Sequence, residues 1–228
     1  MNIDSIKLGI QKAAPICVGY LPLGMALGVI ARNSGLSIGE VAFMSLLLFS
    51  GSGQFIAVAL LTIQTSFWAI IITILLVNLR YMLFSATISR YAKKLPPWVL
   101  AIICQGLTDE TFVVSTTHFK HNPVDKQFWL TLNITSHLAW ISSSVLGAAV
   151  GNFIPNMDKL GLNFALPAMF IALFFMTTNS KRAITVGLIS GLISIMLLSW
   201  GISDANIIIA TIIAATVGVM IQRWIPGS

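Results

Sequence analysis

Charge is what this sequence has least of. Only 9% of its 228 residues are Asp, Glu, Lys or Arg, against 57% hydrophobic residues and a mean hydropathy of +0.91. A soluble domain carries about 25% charged residues, so this chain cannot present a solvated surface on all sides. Cysteine is scarce as well. Cys17 and Cys104 both fall in apolar runs, where they read as small buried hydrophobes and not as a disulfide or a metal pair. No basic face interleaved with aromatics is present, which excludes nucleic acid as a partner. The formal charge of +6 is scattered over short loops instead, a distribution suited to loops facing a lipid bilayer with anionic headgroups. No group of carboxylates makes an oxygen cage for a divalent cation, and neither a metal nor a cofactor is expected. The opening residues, Met1 to Lys7, lack the pattern of a cleaved signal and read as a polar lead-in.

What the chain has is apolar length. A helical crossing needs about 20 apolar residues. On that ruler eight segments stand out: Ala13–Ala31, Ile38–Ile63, Phe67–Tyr91, Trp98–His118, Phe128–Val150, Phe164–Asn179, Ile184–Trp200 and Ala205–Ile225. The expectation is a single all-α transmembrane domain over residues 1–228, a polytopic membrane protein of seven to eight helices, some of them discontinuous. Trp68, Trp98 and Trp129 at segment starts, with Trp200 and Trp224 at ends, suit an interfacial belt. Gly24-xxx-Gly28, Gly147-xxx-Gly151 and Gly187-xxx-Gly191 permit close helix crossings. With a cytoplasmic N-terminus, that side takes Lys7, Lys12, Lys120, Lys126, Lys181, Arg182 and Arg223. The opposite side takes Arg32, Arg90, Lys93, Lys94 and Lys159, so the bias is slight. If the second segment re-enters instead of crossing, every later loop changes side.

Inside the second segment lies Ser50-Gly51-Ser52-Gly53-Gln54, with no charged residue from Val41 to Leu79. Small polar residues and glycines there break the helix. In a bilayer such a break is tolerated where it is buried in protein or lines a wet cavity. A new helix start near Ser52 would aim free amides and a positive dipole end into the membrane, the arrangement of many transporter substrate sites. A small-residue packing point is the alternative. Two proline-containing stretches also resemble each other: Leu21-Pro22-Leu23-Gly24 running to Asn33-Ser34, and Leu166-Pro167-Ala168-Met169 running to Asn179-Ser180. With five segments between their starts they would be copies of opposite topology, an inverted repeat; a chance likeness of two apolar, proline-kinked helices is the alternative.

Polar residues within the segments are few and expensive unless they face the interior or water. Asn78 and Arg80 lie in the third segment, Asp109 and Glu110 in the fourth, His137 in the fifth. Arg80 is ~15 Å of helix before Arg90, and Asp109 is ~18 Å beyond Pro97, at a rise of 1.5 Å per residue. The two helices therefore bring Arg80 level with Asp109 and Glu110, and His137 falls at the same depth. One carboxylate would pair with Arg80. The other, with His137, is surplus to neutrality and suited to carrying a coupled proton.

Together these stretches resemble the AzlC family. The resemblance is carried by Gly19-Tyr-Leu-Pro-Leu-Gly24, Met44-Ser45, Phe49-Ser-Gly-Ser-Gly-Gln-Phe55, Asn78-Leu-Arg-Tyr-Met-Leu83, Leu107-Thr-Asp-Glu-Thr-Phe112 and Phe164-Ala-Leu-Pro-Ala-Met-Phe170. The family pattern often has a small residue in place of Ser50 and Ser52, and His in place of Tyr81. The resemblance implies the large subunit of a two-component exporter of branched-chain amino acids. It also implies a small membrane partner, AzlD, and a bacterial or archaeal inner membrane.

The residues suit such a substrate. Amides at Gly51, Ser52, Gly53 and Gln54 would hold an amino-acid carboxylate. Carbonyls at a break around Tyr20, Pro22 and Gly24, or a carboxylate, would meet the ammonium, with Asn78 close by. Two other readings are open to these residues. A passive small-solute channel would need a continuous polar stripe. An intramembrane serine hydrolase would use Ser50 or Ser52 with His137.

Overall fold

The computed structural model describes residues 3–93, 95–153 and 181–201, with isolated positions between 164 and 171 and between 209 and 220. The chain divides into two compact units, Met1–Phe170 and Ile171–Ser228. All described elements are helical. In the first unit they are α1 (Ile3–Asn33), α2 (Ile38–Leu47), α3 (Gly51–Thr62), α4 (Phe67–Ala92), α5 (Pro97–Gln105), α6 (Asp109–His121) and α7 (Lys126–Val150), closed by a 3-10 turn at Gly151–Phe153. The second unit contributes α8 (Lys181–Ser199), which coincides with the seventh expected segment. The sixth and eighth, and with them the Leu166–Ser180 copy of the expected repeat, lie outside the described residues. Among the described residues, two helices, α1 and α4, are both long and apolar enough to cross a bilayer.

α1 and α7 form the spine, and they run parallel. Gly9 lies against Phe128 and Thr131, Cys17 donates to the Thr135 carbonyl, Gly24 meets Ser143, and Gly151 meets Arg32. The expected small-residue motifs of these two helices face each other. A Cβ on Gly28 would stand 2.0 Å from the Ser144 carbonyl oxygen, and one on Gly147 2.2 Å from that of Met25. Only glycine allows the backbones this near. Packing at that range is the main attraction between helices in a medium as apolar as they are. Gly191 of α8, by contrast, has nothing within 4 Å of an added Cβ.

The second and fourth expected segments do not form single helices. Residues 38–62 and 97–121 each fold as two half-helices that return to the end they started from. For α2–α3 the contact that closes the hairpin is Thr62, whose hydroxyl donates to Ser34 beside the C-terminus of α1, 3.1 Å away. Between those ends the pair reaches down to Tyr20 and Trp140. For α5–α6 it is Phe119, whose ring sits 5.6 Å from Tyr91 at the end of α4. His118, one residue earlier, stacks on Phe128 at the start of α7. At ~15–20 Å each, at 1.5 Å per residue, half-helices of this length reach mid-depth and no further. The break in the fourth segment was not expected.

Every half-helix has a reason to start where it does. α2 begins with a capping box of Ser37 and Glu40, and α5 with Pro97 at its first position. α3 is capped by Ser50, which accepts from the Gly53 amide, and α6 by Thr108, which accepts from the Thr111 amide. Carbonyls freed where α2 and α5 stop are met by side chains. Gln54 Nε2 donates to Met44 and Leu48, Gln105 Nε2 to Leu47, Asn133 Nδ2 to Ile103, and Thr111 Oγ1 to Gly106. Backbone breaks with their polar groups satisfied by protein are the kind a bilayer tolerates.

Three expectations of detail change. Trp129 is fully buried, in edge contact with Phe119, because α7 is covered by α1 and α6; it cannot belong to an interfacial belt. Cys104 is exposed, since α5 packs on α7 through Val99 and Ile103 instead. No break forms around Tyr20–Gly24. α1 runs through Pro15 and Pro22 as one continuous helix, packed along its length against α7.

Candidate functional site

The two hairpin tips, Leu48–Ser50 and Gly106–Thr108, meet inside the first unit. Gln105 of the second hairpin binds the Leu47 carbonyl of the first, 3.0 Å away. The N-termini of α3 and α6 therefore both start inside the first unit. Two of the three N–H groups before Gln54, those of Gly51 and Ser52, have no acceptor within α3; the third, from Gly53, is taken by Ser50.

α4 and α1 supply the side chains that tie the tips. Arg80 forms an ion pair with Asp109 at 3.1 Å, and its other terminal nitrogen donates to Ser52 Oγ at 2.8 Å. One guanidinium thus joins the start of α3 to the start of α6. Two residues earlier, Asn78 Oδ1 accepts from Ser50 Oγ at 2.7 Å. From α1, the Tyr20 hydroxyl lies 2.8 Å from Thr108 Oγ1 and donates to Glu110 Oε2 at 2.8 Å. The expected meeting of Arg80 with the acidic pair is therefore formed, and the two carboxylates divide. Asp109 takes the arginine and Glu110 takes the tyrosine.

The remaining candidates lie around this centre with different surroundings. His137 is not joined to the acidic pair. Its ring stacks on Phe49 at 4.3 Å, and Nε2 lies 3.0 Å from the Ser45 carbonyl at the end of α2. The Gln54 side chain is fully buried; Oε1 accepts from Trp140 Nε1 at 3.0 Å, and the amide closes the end of α2. Gly53 is closely packed, with Ser50 and Asn78 against it. Gly24 sits in the α1–α7 seam, and Pro22 is on the exposed side of α1. A cleft of about 300 Å³ opens between α5 and α7 beside the second tip, lined by Ile102, Ile134, Gln105, Asn133 and His137.

Comparison with known proteins fits this geometry to a family. The profile described as AzlC protein matches residues 15–154, more than half of the chain. The chain belongs to the AzlC family. Its AzlC stretch contains every candidate residue from Tyr20 to His137, while the late Phe164–Phe170 motif falls beyond it. Among relatives, the chain is 32% identical over 186 residues to a Helicobacter pylori protein described as an uncharacterized membrane protein, covering 79% of this chain and 81% of the relative. It is 27% identical over 229 residues to the Escherichia coli inner membrane protein YgaZ, covering 96% and 91%. It is 28% identical over 161 residues to the Bacillus subtilis branched-chain amino acid transport protein AzlC, covering 70% and 63%. No solved structure matches the chain.

Three residues that bond into this centre carried no assigned role in the sequence: Thr108, Trp140 and Ser45. Trp140 and Ser45 both bind Gln54 Oε1; Ser45 stands in the Met44-Ser45 stretch of the family resemblance, while nothing near Trp140 marks it. Thr108 was legible. A hydroxyl residue three positions before Thr111, at the head of Asp109-Glu110, is an N-cap pattern.

Proposed function

We propose that this chain is a carrier that exports branched-chain or related apolar amino acids. It is driven by inward proton movement and works with a small AzlD-like membrane subunit in a bacterial or archaeal inner membrane. The observation that carries this reading is the division of labour at the tips. The start of α3 offers the Gly51 and Ser52 amides for a substrate carboxylate. Glu110, bonded to Tyr20 and not to Arg80, is the carboxylate left to meet an ammonium or take up a proton. The apolar cleft beside Ile102 and Ile134 gives an aliphatic side chain shelter. The naming of the Bacillus relative as a branched-chain amino acid transport protein supports the substrate class. A serine hydrolase is not favoured: Ser50 is engaged by Asn78, Ser52 by Arg80, and His137 by the Ser45 carbonyl.

In this reading α1, α4 and α7 cross the membrane, and the two hairpins enter and leave by opposite faces. Charge supports the orientation. The end holding the start of α1, the end of α4 and the α6–α7 turn carries Lys7, Lys12, Arg90, Lys93, Lys120 and Lys126; for the other end of these helices it is Arg32. Such an excess marks the cytoplasmic face, so the N-terminus is inside. The slight bias counted from unbroken spans becomes a strong one once both hairpins re-enter.

The deciding experiment loads proteoliposomes containing the chain and its small partner with leucine, then imposes a pH jump without sodium. Efflux that follows the pH gradient is expected. Flux that ignores the jump and answers to sodium would overturn the proton reading. The chain reconstituted alone is expected to export poorly, and full activity alone would reject the partner.

A further inference from the structure

The segments α1–α3 and α4–α6 match one another step by step. A short link of equal length separates α1 from the first hairpin and α4 from the second. The half-helices have 10 and 12 residues in the first hairpin, 9 and 13 in the second. Equivalent points keep a nearly constant offset along the chain: Asn33 and Ala92 end the long helices, Ser50 and Thr108 cap the half-helices, Thr62 and His121 end them. The directions are opposed, because each hairpin returns to the end at which its own long helix finishes, and the tips approach from opposite ends.

The side chains follow the same rule. Tyr20 precedes the Ser50 cap by the same stretch of chain as Asn78 precedes the Thr108 cap. Tyr20 does not hold its own repeat's cap. It holds Thr108, while Asn78 holds Ser50. Asn78 and Ser50 belong to different repeats, as do Tyr20 and Thr108, so each long helix grips the half-helix of the other. Such an exchange of partners is what a two-fold relation between copies requires.

We infer that Tyr20 and Asn78 are equivalent gating residues of an inverted repeat formed by α1–α3 and α4–α6, each latching one hairpin tip across the substrate site. The inference rests on the carrier reading above. The hairpin tip α5–α6 belongs to the end that bears the N-terminus. Parting Thr108 and Glu110 from Tyr20 opens the centre toward that end. The tip α2–α3 belongs to the other end, and parting Ser50 from Asn78 opens the centre there. With both latches closed, as here, neither route is open. A carrier that must expose its site to each side in turn needs two such latches and must release one at a time.

The sidedness of a reporter cysteine tests this without any transport measurement, so failure of the amino-acid assignment leaves the test standing. In a background of Cys17→Ser and Cys104→Ser, Leu48→Cys at the first tip is labelled with a membrane-impermeant maleimide. The reagent is applied to one face of sealed vesicles and then to the other, with the full chain and its partner subunit present. Tyr20→Phe and Thr108→Val are each expected to raise labelling from the N-terminal face at least about fivefold, the population shift that loss of even one net hydrogen bond produces. Asn78→Leu and Ser50→Ala are expected to raise it from the opposite face. Agreement within each pair guards against a single misfolded variant. Shifts toward the same face for both pairs, or no shift in variants that elute as folded protein, would overturn the inference.

Discussion

At the first tip Ser50 caps α3 and is followed by Gly51, Ser52 and Gly53; at the second Thr108 caps α6 and is followed by Asp109, Glu110 and Thr111. Both place a helix start in the middle of the first unit, where the positive dipole end is felt most. The second tip neutralises that end with its own carboxylates and so is closed to an anionic group. The first tip brings no charge and leaves the Gly51 and Ser52 amides without an acceptor in α3. On the proposed carrier reading, the first tip would take the carboxylate of a zwitterion and the second would meet its ammonium. Arg80 lies across both, bonded to Ser52 on one side and Asp109 on the other.

The largest effect should come from removing the group that the tips share. Arg80→Ala leaves Asp109 without its cation and Ser52 without its donor. Removing one partner of a buried pair costs about 3–5 kcal/mol, and with Arg80 25% exposed the lower end of that range is expected. Export should be abolished and the yield of folded protein, read by size-exclusion chromatography, should fall. Normal export by Arg80→Ala would mean that the tips are not held together by this pair.

Next come changes confined to one tip. Ser52 is fully buried, so Ser52→Leu forces a larger side chain into the tip beside the α3 amides. Leucine binding should be lost while the protein still inserts, and unchanged binding would show that the substrate carboxylate is held elsewhere. At the second tip the two acids should part company. Glu110→Gln should leave exchange of substrate for substrate intact and remove its response to a pH gradient. Asp109→Asn should instead behave as a milder Arg80→Ala, with reduced thermal stability. Identical phenotypes for the two would erase the distinction that Tyr20 and Arg80 draw between them.

How much of this contrast was readable in the sequence differs between the tips. The first break announces itself, because Ser-Gly-Ser-Gly cannot continue an apolar helix quietly. The second is only Gly106-Leu107-Thr108, and Asp109 with Glu110 reads as charge within a span instead of as the acidic first turn of a new helix. Whether a segment crosses or turns back was hidden for a simple reason. Two half-helices and their tip, as in 38–62 or 97–121, take up as much chain as one crossing does. Direction is then fixed by long-range contacts such as Thr62 with Ser34, which leave no local pattern. The level of Arg80 with Asp109 was legible, since helical rise alone sets it. Helical rise sets only a depth for His137 and not which way its ring points; the ring stacks on Phe49 and does not join the acidic pair.

The smallest effect compares the two caps. Replacing a Ser or Thr cap by Ala costs roughly 0.5–2 kcal/mol, and in a unit of this size each kcal/mol lowers the melting temperature by about 2–4 °C. Thr108→Ala loses its bond from the Thr111 amide and its contact with Tyr20. Yet α6 keeps Asp109 and Glu110 in its first turn, and Thr111 Oγ1 still accepts from the residue-108 amide, a bond of 2.8 Å here. Ser50→Ala loses the bond from Gly53 and the one to Asn78, and α3 has no acidic residue to compensate. The uncharged tip should therefore depend more on its hydroxyl, and Ser50→Ala should lower the melting temperature more than Thr108→Ala. Equal shifts, or the reverse order, would show that the carboxylates of the second tip do not stabilise their own helix and are held in place by Arg80 and Tyr20 alone.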